Sequence, residues 1–83
     1  MRDMLLVDGP AVLMKQLSKR ELEVVSLLAQ GYRREDVARL CDISLLTVRN
    51  HITKAIWKVG VKNHTQLVVI YMLWNGRRVS DGI

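Results

Sequence analysis

The chain has 83 residues, a formal net charge of +5 and a single cysteine. That length makes one small domain whose apolar core only just offsets chain entropy, so a second subunit is the expected extra support. A lone cysteine excludes an internal disulfide; no signal peptide is visible, and the longest apolar run, residues 67–74, is too short to span a bilayer, so a soluble cytoplasmic protein is expected.

The charge is unevenly placed. Residues 43–80 hold no acid, while Arg49, Lys54, Lys58, Lys62, Arg77 and Arg78 are basic. A one-sign surface is the footprint of a polyanion binder, although a solvated face that keeps a domain soluble looks the same. Charge alone does not separate DNA from RNA or anionic lipid.

In chain order, residues 1–16 carry two short apolar runs, Met4-Leu5-Leu6-Val7 and Ala11-Val12-Leu13-Met14, around the turn-forming Asp8-Gly9-Pro10. They read as an N-terminal arm packed on the domain, a partner-binding segment, a connector, or a flexible leader. A helix over residues 19–30 is announced by Ser18-Lys19-Arg20-Glu21, a capping box in which Glu21 reaches back to the cap N–H. Leu17 and Leu22 form the matching hydrophobic staple, and Gly31 supplies the stop. A shorter helix over 34–41 buries Val37, Ala38 and Cys41. Arg33 stands where a capping side chain is wanted, and Glu35 and Asp36 partly compensate with negative charge in the first turn. Asp42 tolerates a left-handed turn.

Residues 43–61 then form the segment of greatest interest. Ser44 caps a helix over 45–59, Val48, Ile52, Ala55, Ile56 and Val59 make its apolar face, and Gly60 suits a left-handed stop. Helix, three-residue turn and helix is the helix-turn-helix spacing. The opposite stripe carries Leu46, Arg49, Asn50, Thr53 and Trp57, which point roughly one way at 3.6 residues per turn. Arginine and asparagine are the side chains whose donors best match guanine and adenine edges in the major groove, and Leu46 suits a thymine methyl.

A last helix, 64–75, starts at Asn63-His64-Thr65-Gln66 and is expected to end at Asn75-Gly76, leaving 77–83 as a tail. It is apolar on every side from Leu67 to Trp74, so it must be buried on more than one face. Leu67, Ile70, Tyr71 and Trp74 suit the domain core, which leaves Val68, Val69, Met72 and Leu73 for a second copy or for a folded-back arm. Cys41, His51 and His64 lie too far apart in sequence for a zinc site, no catalytic grouping or glycine-rich phosphate loop is present, and neither a metal, a cofactor nor an enzyme is expected.

The run L-S-K-R-E-L-E-V-V-x-L-L-A-Q-G, then V-A-x-L, I-S-x-x-T-V-R-N-H-I and K-V-G-V-K-N-x-T-Q resembles the LuxR/GerE-type DNA-binding domain, the output module of NarL/FixJ-class response regulators. T-V-R-N-H-I-T-K-A-I-W-K-V-G-V-K is similar to stand-alone GerE-like members. The resemblance covers residues 17–76 and implies an all-α, four-helix helix-turn-helix domain with a short N-terminal arm. It implies that the third of those helices reads the major groove through Arg49, Asn50 and Thr53, and that the fourth mediates dimerisation. It puts phosphate contacts at Ser44 and Thr47, supported by Arg33, Arg34, Lys54, Lys58 and Lys62. Departures from the family are Arg33 at a usually polar cap, Asp42 for a turn glycine, Cys41 for a buried leucine, Leu45-Leu46 for a polar pair, and Trp57 for a charged residue. For Trp57 a partly buried ring is the expectation.

The reading is therefore a bacterial, homodimeric transcriptional regulator that binds double-stranded DNA at an inverted repeat, with RNA polymerase or a second regulator as further partners and no membrane. It would be nucleoid-associated when bound. Two rivals are an anti-activator that pairs with a full-length relative, disfavoured by the retained stripe, and a module resembling sigma region 4, fitted poorly by the last apolar helix.

Overall fold

A computed structural model describes the backbone of residues 9–81 and the side chains of residues 9–76. The first apolar run at Met4–Val7, the last residues of the tail and the side chains of Arg77 and Arg78 lie outside the described part. Five helices follow one another: α1 (Gly9–Met14), α2 (Lys19–Ala29), α3 (Arg34–Cys41), α4 (Leu45–Val59) and α5 (His64–Asp81). The described residues form no strand, so the all-α expectation holds, with one helix more than the expected four.

The extra helix lies in the arm. Gly9 and Pro10, read from sequence as a turn, open α1 instead. Proline is tolerated in a first helical turn because its missing N–H has no helical acceptor there. The short helix packs against α5 and α4, and Met14 is 1 % exposed. Met14 and Leu17 share a core with Val25, Ala55, Val59, Leu67 and Tyr71, so the end of the arm is structural.

Local capping sets α2. The Ser18 N–H donates to Glu21 Oε1 at 2.9 Å, and the Glu21 N–H donates to Ser18 Oγ at 3.1 Å. Leu17 and Leu22 meet in the same apolar cluster, completing the staple. Gly31, at φ +97°, turns the chain out of the helix. At α3 only half of the box exists: the Arg33 N–H donates to Asp36 Oδ2 at 3.3 Å, and arginine has no acceptor to return. The Arg39 hydrogen bond and the Arg33 N–H hold the Asp36 carboxyl below its ordinary range. Asp42 adopts the left-handed conformation, φ 57° and ψ 47°, and lets the Ile43 N–H close on Ala38 O at 3.0 Å.

A second core cluster fixes the helix-turn-helix. Val24, Val37, Val48 and Ile52 are buried together, so α2, α3 and α4 each contribute to a dry centre. Ile56 packs against both clusters and couples this centre to α1 and α5. The buried face of α4 is the expected one, Val48, Ile52, Ala55 and Val59. At the start of α5 the Gln66 N–H donates to Asn63 Oδ1 at 3.0 Å, and Gln66 Oε1 accepts the Lys62 N–H at 2.7 Å. Its end departs from expectation, because α5 runs through Asn75-Gly76 to Asp81. A glycine stop needs a left-handed turn, and Gly76 is not among the glycines that adopt positive φ. A glycine kept inside a helix costs only about 1 kcal/mol, so the helix continues.

Among the described residues one charged contact crosses the fold. Lys58 Nζ lies 2.8 Å from Glu21 Oε1, and the Glu21 residue is 3 % exposed. Burial pushes the Glu21 carboxyl up, but the Lys58 hydrogen bond and charge and the Ser18 contacts outweigh it and hold it below its ordinary 4.5. A carboxyl depressed in the folded state adds stability that is complete above its unfolded value and lost as pH falls through the folded one. The melting temperature should therefore fall below pH 4.5, and thermal melts from pH 7 to 3 should show Glu21→Gln with a shallower acid decline.

Candidate nucleic-acid interface

The face of α4 opposite its buried residues is open. Leu46 is 65 % exposed, and Arg49, Asn50 and Thr53 are exposed on the same stripe. Among the described residues, none makes a hydrogen bond or ion pair to these three polar side chains that would have to break before they met a ligand's donors and acceptors. Trp57 corrects an expectation. Its ring is 81 % exposed rather than partly buried, and it belongs to neither core cluster.

Ser44 caps α4 by accepting the Thr47 N–H at 3.0 Å, and the two hydroxyl oxygens lie 2.9 Å apart. One of their two hydrogens bridges that gap, which leaves the other O–H for an anion at the helix start. Arg33, Arg34, Lys54 and Lys62 are all exposed, as phosphate contacts need to be. Lys58 differs from the rest of this set, since its ammonium is held by Glu21 and its side chain is 40 % exposed. It lies on the flank of α4 that faces α2, away from Arg49.

The other flank of α4 borders a cleft of about 370 Å³ lined by Arg34, Arg49, Thr53, Asn63 and His64 together with Ile52 and Ile56. No carboxylate is among the residues that line it. Asn63 reads from the sequence as a cap, and nothing local singles out His64. Their place beside Arg49 depends on how α5 packs, which no local pattern encodes. His51 Nδ1 is buried and makes no hydrogen bond among the described residues. Among the described residues no group of three potential metal ligands comes together, and no helix is long and apolar enough to cross a membrane.

On α5, Leu67 is fully buried and Tyr71 is 9 % exposed, with the Tyr71 O–H donating to Ser26 Oγ at 3.0 Å. The outward residues divide. Val69, Met72 and Leu73 are 48 %, 56 % and 53 % exposed, and Val68 is partly buried. α1 packs on α5 without covering these three.

Known proteins are similar to this sequence over most of its length. Residues 15–71 match the family described as bacterial regulatory proteins, luxR family. Over 59 residues the chain is 34 % identical to the response regulator protein VraR of Staphylococcus aureus, and equally to that of Staphylococcus saprophyticus and of Staphylococcus epidermidis. These alignments cover 71 % of this chain and 28 % of each relative, so the chain corresponds to a part of those proteins. This chain therefore belongs to the luxR family of bacterial regulatory proteins, a family of DNA-binding regulators and not of enzymes.

Proposed function

We propose that this chain is a sequence-specific transcriptional regulator that binds DNA as a homodimer, placing α4 of each copy in the major groove of one half of an inverted repeat. The observation that carries the reading is the open row of Arg49, Asn50 and Thr53 on a helix whose other face is locked into the core. In this reading Arg49 and Asn50 read bases and Thr53 and Leu46 add contacts beside them. Ser44, Thr47, Arg33, Arg34, Lys54 and Lys62 fix register through phosphates. Lys58 is assigned to the fold. The outward face of α5, with Val69, Met72 and Leu73 at its centre and Val68 at its edge, joins the two copies. The site of action is the cytoplasm, where the DNA is, with RNA polymerase or a second regulator as the next partner. Kinship with proteins named as response regulators supports the regulatory role.

Selection of bound duplexes from a random pool tests this. Arg49→Ala should lose about 1–3 kcal/mol of discrimination at one base pair per half-site. Lys54→Ala should weaken all sequences alike and lower the salt slope by about one. An Arg49→Ala protein with equal losses on selected and random DNA would show that Arg49 neutralises phosphate and does not read a base.

A further inference from the structure

Trp57 is the most exposed of the large apolar side chains described, at 81 %, and the reading stripe does not need it to stand there. It follows Leu46, Asn50 and Thr53 at spacings of four, three and four residues, so it continues their line. The helix end that carries it is tied down. Val59 beside it is buried, Lys58 is tied to Glu21, and the helix closes at a left-handed Gly60 whose N–H donates to Ile56 O at 2.9 Å. Lys54, one turn earlier, is exposed, and no acidic residue lies between positions 43 and 80.

We infer that Trp57 is an anchor for the DNA backbone, its indole lying against the sugar-phosphate wall of the groove and its N–H donating to a phosphate oxygen. The inference rests on the DNA-binding reading above. A recognition helix contacts base edges mainly through its N-terminal residues. Trp57 is about 16.5 Å along the axis from Leu46 and about 6 Å beyond Thr53, in the last turn. A straight helix there diverges from the curved groove floor, and the surface within reach is backbone. Indole fits that surface: its apolar body covers deoxyribose, and its one polar atom is a donor facing an acceptor-only phosphate. A neutral donor displaces no counterion, so this anchor differs from a lysine in leaving the salt slope unchanged.

The fluorescence of a Trp74→Phe protein reports Trp57 alone, because the chain has two tryptophans. Trp74 meets Tyr71 edge to face at 5.6 Å, a contact phenylalanine retains. Titration with a selected duplex and with an unrelated one should shield Trp57 from acrylamide in both complexes. Trp57→Ala should bind both duplexes about three- to tenfold more weakly, with the salt slope and the melting temperature unchanged. Trp57→Phe should lose less. Four results overturn the anchor: a saturated complex in which Trp57 stays open to acrylamide, a loss confined to the selected duplex, a changed salt slope, or shielding that grows with protein concentration before DNA is added. A parent protein that binds neither duplex removes the DNA reading itself, and the titration shows this before Trp57 is considered.

Discussion

Glu21→Ala is expected to destabilise the domain by roughly 2–4 kcal/mol, a large share of the ~4–12 kcal/mol that a chain of this size has in total. Three losses add. The Ser18 N–H loses its acceptor, the Lys58 ammonium loses a partner 2.8 Å away, and a buried volume between α2 and α4 empties. Because Lys58 is 40 % exposed and water can replace part of what it loses, the value sits at the lower end for a broken pair. The melting temperature should drop by at least about 10 °C. Two companion variants separate the causes. Glu21→Gln keeps a competent capping box and should cost less. Lys58→Met keeps the apolar stem but strands the Glu21 carboxylate, so its deficit should be largest at neutral pH. It should shrink on acidification, while the parent weakens. Chemical denaturation at pH 7 and pH 4 reads both effects. An alanine variant within 0.5 kcal/mol of the parent, the ordinary range of a surface change, would mean that the pair contributes nothing to the fold.

That pair also shows which parts of the molecule were legible in the sequence. The caps at Ser18, Ser44 and Asn63 and the left-handed stops at Gly31, Asp42 and Gly60 are written in neighbouring residues, and each was read from them. The buried and open faces of α4 were equally legible, because side-chain direction follows from helical period alone. Glu21 and Lys58 are 37 residues apart, and both belong to capping and charge patterns that explain them without each other. Pro10 carried a turn signal, and only the core formed with Met14 and Leu17 makes a helix there worthwhile. Asn75-Gly76 carried a stop signal that is too weak, at about 1 kcal/mol, to end a helix whose apolar side is already packed. The cleft that joins Arg49 to Asn63 and His64 needs the placement of α5, which is a tertiary outcome.

Val69→Glu is expected to abolish the dimer and with it most of the affinity for an inverted repeat. Val69, Met72 and Leu73 remain open although α1 packs against the same helix, and the proposed dimer would bury them. In a twofold contact each residue is used twice, and one substitution would bring two carboxylates into an apolar interface. The fold itself should survive, since Val69 is half exposed and outside both core clusters, and the melting temperature should fall only by what the lost partner contributed. Two linked half-sites bind more tightly than one by a factor of about 10²–10⁴, so a monomeric variant should lose that factor on the full repeat. On a single half-site it should match the parent. Light scattering at the concentrations used for binding, with shift assays on full and half sites, measures all three quantities. A parent that is monomeric at binding concentrations would remove the homodimer reading, and a variant that stays dimeric would place the contact between copies elsewhere than on α5.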